Sequence, residues 1–163
     1  MKSVLISIQP QWVNKIASGK KTIEVRKSRP KLETPFKCYI YETKGKQVER
    51  CDGCDVTYYG RGKVIGEFVC DRIDDLRYVP TKYYLQPAGT WEEIICKSSC
   101  LSVDYIKEYA KGKAVYGWHI SDLKIYDKPK ELSEFKKEIV KGAMPKSLIR
   151  PPQSWCYVES LGE

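Results

Sequence analysis

Hydrophobic and polar positions alternate in short runs along most of this chain, and a few helix-period segments sit between them. Val4, Leu5, Ile6 and Ile8 open it as a strand over residues 3–8. From Pro10 to Ser18 the period changes. Trp12, Val13 and Ile16 fall three and four apart on one face, Pro10 suits the first helical position, and Gly19 suits the left-handed residue past the helix end. The spacing then returns to two. Ile23 and Val25 face a core from a strand over 22–27, while Thr22, Glu24 and Arg26 share its other face, with Lys21 at the entrance. Phe36 to Glu42 alternates and is aromatic-rich, and Lys63 to Cys70 is a strong strand in which Gly66 marks a bulge or a close backbone approach.

Other segments carry weaker signals. Lys44 to Gly62 is polar and glycine-bearing and reads as an exposed excursion between strands. Pro80, Pro87 and Gly89 break the pattern after Asp74-Asp75, and Trp91 to Cys96 fits either state. Ser102 is a good N-cap for a helix that ends at Gly112, with Leu101 packing on Ile106 as a staple. Val115 to Ile120 starts a strand that runs, with a kink, to Tyr126. Lys130 to Lys141 places Leu132, Phe135, Ile139 and Val140 on one helical face, and Ser154 to Glu159 reads as a closing strand. Short strands with short interspersed helices predict an α+β fold built as a mixed β-barrel, against a parallel sheet wrapped by helices. At 163 residues, one domain over 1–163 is the expectation.

Charge narrows the picture. The formal net charge is +8, and residues 1–50 hold 12 Lys+Arg against 4 Asp+Glu while the other 17 and 17 balance. All of the excess lies in the first third, which favours an anionic partner, RNA or a nucleotide first. No run is long and apolar enough to span a membrane, and Gln9 and Pro10 interrupt the N-terminal apolar stretch before it reaches signal-peptide length. The expected location is the cytoplasm, with most of the seven cysteines as thiols.

Candidate chemistry concentrates after Gly19. Glu24 between cations orients a polar ligand or takes a proton, as a general base, while Lys21 stabilises a developing oxyanion. Lys21 and Glu24 are therefore the catalytic candidates if the protein is an enzyme. Lys20, Lys21, Thr22, Glu24, Arg26, Trp118 and Gln153 form the candidate ligand-binding set. Trp118, Trp155, Tyr39 and Tyr41 offer stacking surfaces, and Arg150 and Gln153 flank a Pro-Pro turn. His119 is the single histidine, with a structural or a ligand role open to it. Cys51 and Cys54 form a C-x-x-C pair, and Cys96 and Cys100 supply a second. Four thiolates would hold a structural zinc stapling two loops, against the alternative of small buried hydrophobes. Cys38, Cys70 and Cys156 lie in strands and belong to the core. No other cofactor is implied.

Gly19, Lys21, Glu24 and Arg26 fit the pattern G-x-K-x-x-E-x-R. With the preceding unit from Leu5 to Val13, this stretch resembles an ASCH domain, most strongly over residues 3–43. Gly66-Glu67-Phe68 and Tyr116 to Ile120 resemble later strands of the family. Arg150 to Val158 resembles a branch common in phages and prophages. The resemblance implies a PUA-like fold, a small mixed β-barrel with short flanking helices, and a ligand cleft beside the motif serving RNA-linked processes. One branch of the family removes the acetyl group from N4-acetylcytidine, with Lys at the position of Lys21 and a nucleophilic Thr where this chain has Glu24. Glu24 is no hydroxyl nucleophile, so that activity does not carry over. Members with the Glu form are linked to ribonuclease activity. The expectation is an RNA- or nucleotide-binding protein. The alternative is a small hydrolase acting on a modified nucleoside or on RNA, and a weaker third reading is a phage accessory protein that binds a host protein.

Overall fold

The computed structural model describes residues 2–76, 91–137 and 144–162. Its centre is the first strand, β1 (Lys2–Ile8), because that run is apolar on both faces. Six of its seven residues are buried. Val4, Ile6 and Ile8 enter one core cluster with Val13, Ile16, Cys38, Ile40, Phe68 and Trp118. Leu5 enters a second with Tyr39, Val64, Phe135 and Val158. A strand buried on both sides reads as a continuous apolar run, and this one does.

The chain continues through α1 (Pro10–Ala17), β2 (Ile23–Arg26), β3 (Phe36–Glu42), β4 (Gly45–Cys51), β5 (Cys54–Gly60), β6 (Lys63–Cys70) and β7 (Ile73–Asp75). There follow α2 (Trp91–Ser99), α3 (Val103–Ala110), β8 (Tyr116–His119) and β9 (Ser121–Lys130). A 3-10 turn (Leu132–Glu134), β10 (Lys136–Lys137), β11 (Lys146–Ser147) and β12 (Trp155–Glu159) complete the described elements. The α+β expectation holds, and α1 and β2 form where the period changes at Pro10 and Gly19 place them.

Among the described residues the strands make three sheets, and these do not close into the expected barrel. The largest runs β11-β10-β12-β1-β3-β6-β9, with β1 and β3 parallel and its other pairs antiparallel. The second runs β2-β8-β7, and β4-β5 is a separate hairpin. The predicted kinked strand from Val115 is two strands in two sheets. The backbone leaves the small sheet at Ile120, whose N–H bonds to the Thr22 carbonyl, and Asp122 adopts a left-handed φ of 46° as β9 begins in the large sheet. This break keeps the two sheets apart.

Three other expectations are sharpened or corrected. The exposed excursion over residues 44–62 is ordered as the β4-β5 hairpin, turning at Asp52-Gly53 with Gly53 at φ 103°. The segment is polar because both faces of this two-stranded ribbon are largely exposed. The described part of the predicted helix, residues 130–137, is not helical: β9 claims Lys130, and reciprocal bonds between Glu131 and Glu134 cap a single 3-10 turn. Phe135 then takes an extended conformation and is fully buried among Tyr39, Val64 and Val158. Ile139 and Val140 lie outside the described residues. Trp91 to Ser99 resolves as helix α2. The Ser102 cap is present, accepting the Tyr105 backbone N–H, and α3 ends with Lys111 and Gly112 both at positive φ. A Cβ at Gly66 would stand 2.5 Å from the Lys124 carbonyl oxygen, so the close backbone approach read there is real.

Candidate functional site

Alternation along β2 sorts its side chains. Ile23 and Val25 pack with Leu76, Ile95, Ala110 and Val115 beneath α2 and α3. Glu24 and Arg26 turn the other way, and Lys21, just before the strand, joins them. Lys21 is 2 % exposed and Glu24 6 %. Lys21 Nζ donates to the Ser99 carbonyl at 2.7 Å and lies 3.3 Å from Glu24 Oε2. Ser99 ends α2, so the ammonium caps the carbonyl end of that helix, where the backbone dipole favours a cation. The Trp12 ring lies 5.2 Å from the same nitrogen.

Arg26 closes the other side of the carboxylate. Its Nη2 is 3.0 Å from Glu24 Oε1 and also donates to the Ser7 carbonyl of β1, and its Nη1 is 3.5 Å from Ser154 Oγ. The guanidinium thus bridges the small sheet to the large one. Its Nε is buried without a partner among the described residues. One carboxylate between two cations leaves a net positive charge in a desolvated setting. Such an arrangement costs folding energy, offset here by pairing of both cations with Glu24 and with the Ser99 and Ser7 carbonyls.

This trio floors a cavity of about 380 Å³. Trp12, Tyr105 and Tyr109 wall it, while Gln9, Thr43 and Gln153 stand at its polar edge. Burial pushes the Tyr109 hydroxyl above its ordinary value; Arg26 pulls it back and Glu24 adds to the rise. Size, apolar walls and a few converging polar groups are what a small-ligand site requires.

The structure gathers Lys21, Glu24, Arg26 and Gln153 of the residues proposed from sequence. Lys20 and Thr22 are exposed and do not line the cavity. Thr22 lies before β2, and its backbone N–H bonds to the Ser98 carbonyl. Trp118 pairs with Glu24 across β2-β8 but is fully buried in the core, its ring 6.0 Å from Phe36 and 5.9 Å from Trp155. No face of it is open to stack on a ligand. Tyr39 and Tyr41 are also core residues, Trp155 is half-buried, and Arg150 is exposed away from the cavity. His119 pairs with Asp74 at 2.7 Å on the β7-β8 side, outside the cavity.

Among the described residues, Cys54 does not come together with Cys96 and Cys100. Cys54 is exposed at the hairpin tip, whereas Cys96 and Cys100 lie at the end of α2, where Cys100 Sγ approaches the Lys20 carbonyl at 3.3 Å. No group of three metal-ligating side chains occurs among the described residues, and the side chain of Cys51 is not among them. The two pairs sit on elements that the fold separates.

The residues missed are the walls. Tyr105 and Tyr109 are four apart on α3, a stripe legible in the sequence, and Trp12 passes for a core residue of α1. Nothing in the sequence shows that α3 and α1 face each other across β2.

The chain matches the family model of the ASCH domain over residues 6–141. Its fold is similar to that of crystal structures of the ASCH protein from Zymomonas mobilis. A tyrosine-to-phenylalanine variant of that protein aligns with a TM-score of 0.59 at 20 % identity, covering 98 % of this chain and 91 % of that one. A serine-to-alanine variant gives 0.60 at 19 % identity over 96 % and 88 %. The structure titled simply as ASCH from that organism gives 0.55 at 19 % over 96 % and 87 %. No curated protein matches the chain.

Proposed function

Because this chain belongs to the ASCH domain family, we propose that it binds RNA or a nucleotide in the cleft floored by Lys21, Glu24 and Arg26. The observation that supports this most is the burial of Lys21 and Glu24, with the largely covered Arg26 beside them, at the floor of a cavity walled by aromatic rings. An ion trio of this kind offers both hydrogen-bond donors and acceptors at fixed positions, which suits the edge of a base, while Trp12 and Tyr105 offer faces to its ring. Two of the three donors of Lys21 are used internally, leaving one for a ligand.

Binding ranks above hydrolysis on the same geometry. Both oxygens of Glu24 are engaged by cations, which leaves a poor general base. Thr22, the hydroxyl nearest in sequence, does not reach the cavity.

The test is a titration with the four ribonucleoside 5′-monophosphates and a mixed single-stranded RNA, followed by tryptophan fluorescence, to which Trp12 contributes. A saturable change is expected, lost when Lys21, Glu24 and Arg26 are together replaced by Met, Leu and Met. No change with any ligand, or an unchanged response in the triple variant, overturns the reading. Incubation of the same RNA and of N4-acetylcytidine with the wild type, with no products formed, separates binding from turnover.

A further inference from the structure

Tyr105 and Tyr109 line two hollows. Inside is the cleft; outside is a second concavity of about 250 Å³, walled by Lys27, Tyr105, Glu108, Tyr109 and Lys111. The two rings lie nearly parallel, at 10°, with centroids 6.4 Å apart, and Tyr105 is 48 % exposed. Lys27 Nζ sits 4.6 Å over the Tyr109 ring. Arg26 and Lys27 are consecutive, so alternation at the end of β2 turns one cation into the inner cleft and the other to the outer hollow. Lys111, in its left-handed cap position, adds a second outer cation against the single carboxylate of Glu108.

We propose that the tyrosine pair divides one continuous path into two subsites, the inner taking one nucleotide and the outer taking its neighbour in a single strand of RNA. The proposal rests on the nucleotide-binding reading above and extends it from one nucleotide to a chain. A stacking face flanked by cations is what a single strand requires, since each of its units brings a base and a phosphate. A lone nucleotide uses only the inner cleft and leaves the outer side of the tyrosine pair and both outer lysines without a role.

The test compares a ribonucleoside monophosphate with a single-stranded RNA hexamer, on the wild type and on the variant Lys27→Gln/Lys111→Gln. Both substitutions lie on the surface and remove the charge while keeping a polar, unbranched side chain one atom shorter. One more stacked base raises affinity by roughly five- to 150-fold, so the hexamer is expected to bind wild type tighter by that ratio. In the variant the ratio shrinks but stays above one, because the tyrosine pair remains, monophosphate affinity stays unchanged, and the log–log salt slope for the hexamer shrinks by about 1.4, for two single-strand phosphate contacts. A hexamer no tighter than the monophosphate, or a variant that keeps the full advantage, overturns the outer subsite alone. Failure of wild type to bind either ligand overturns the nucleotide reading and this one with it. An acidic peptide that competes as well as the hexamer also overturns it, because a peptide carries the charge without the bases.

Discussion

β1 in the seven-stranded sheet and β2 in the three-stranded sheet are both shielded from water, and they shield different chemistry. On β1 the inward residues are aliphatic except Ser3 and Ser7, whose hydroxyls bond to Ser160 and to the Pro152 carbonyl. On β2 one face is aliphatic and the other holds Glu24 and Arg26, joined by Lys21. Burying an aliphatic strand stabilises a fold at no electrostatic cost. Burying a carboxylate between two cations is matched or bettered by apolar residues of similar size, so it argues for use rather than for stability. The large sheet is the frame, and the small sheet holds the chemistry against it through the contact of Arg26 with Ser7.

The sharpest way to break this comparison is to remove one charge and then all three. Glu24→Gln strands two buried cations and is expected to cost about 3–5 kcal/mol, read as a lowered urea midpoint. The triple replacement by Met, Leu and Met removes every charge at similar volume and is expected to recover most of that loss while ligand binding stays absent. A triple variant less stable than Glu24→Gln would make the trio a structural device and collapse the distinction.

The complementary test disturbs the frame alone. Gly66→Ala places a methyl 2.5 Å from the Lys124 carbonyl and 3.1 Å from Ile125 Cδ1, so β6 and β9 must separate. A loss of about 1–3 kcal/mol is expected, with cleft affinity retained once the protein is folded. Weakened binding at full occupancy of the folded state would show that the two sheets are coupled more tightly than their separate hydrogen-bond ladders imply.

The smallest effect belongs to charge at the surface. Glu49 of the hairpin is held below the usual carboxylate range, chiefly by the hydrogen bond from Lys15 of α1 and further by Tyr58, against a burial penalty. A depressed carboxyl contributes stability above its unfolded value, near ~4.3 for Glu, and loses it as pH falls through the lower folded value. Unfolding midpoints of wild type and Glu49→Gln should therefore differ slightly at neutral pH and converge on acidification. A difference that persists in acid would mean that the hairpin is held by packing and not by this pair.

Short-range sequence signals account for the local elements around the site and the identity of its floor. Pro10, the three-four spacing of α1, the stop at Gly19 and the alternation from Ile23 to Arg26 are set by interactions within a few residues, so they were legible. That alternation also put Glu24 and Arg26 on one face, and the Gly66 approach announced itself as a glycine inside a strong strand. Tertiary structure decided everything that depends on which elements meet. Phe135 shows a helical spacing in sequence, yet the core between β3 and β12 takes it in extended form. Trp118 carries a ring suited to stacking, yet the space between the sheets consumes it. Tyr105 and Tyr109 carry a stripe that fits many partners, and only the packing of α2 and α3 over β2 turns it towards the trio. The reason is that burial is a property of pairs of surfaces: a chain can state which face is apolar or charged, but the free energy of covering that face belongs to the element that arrives to cover it.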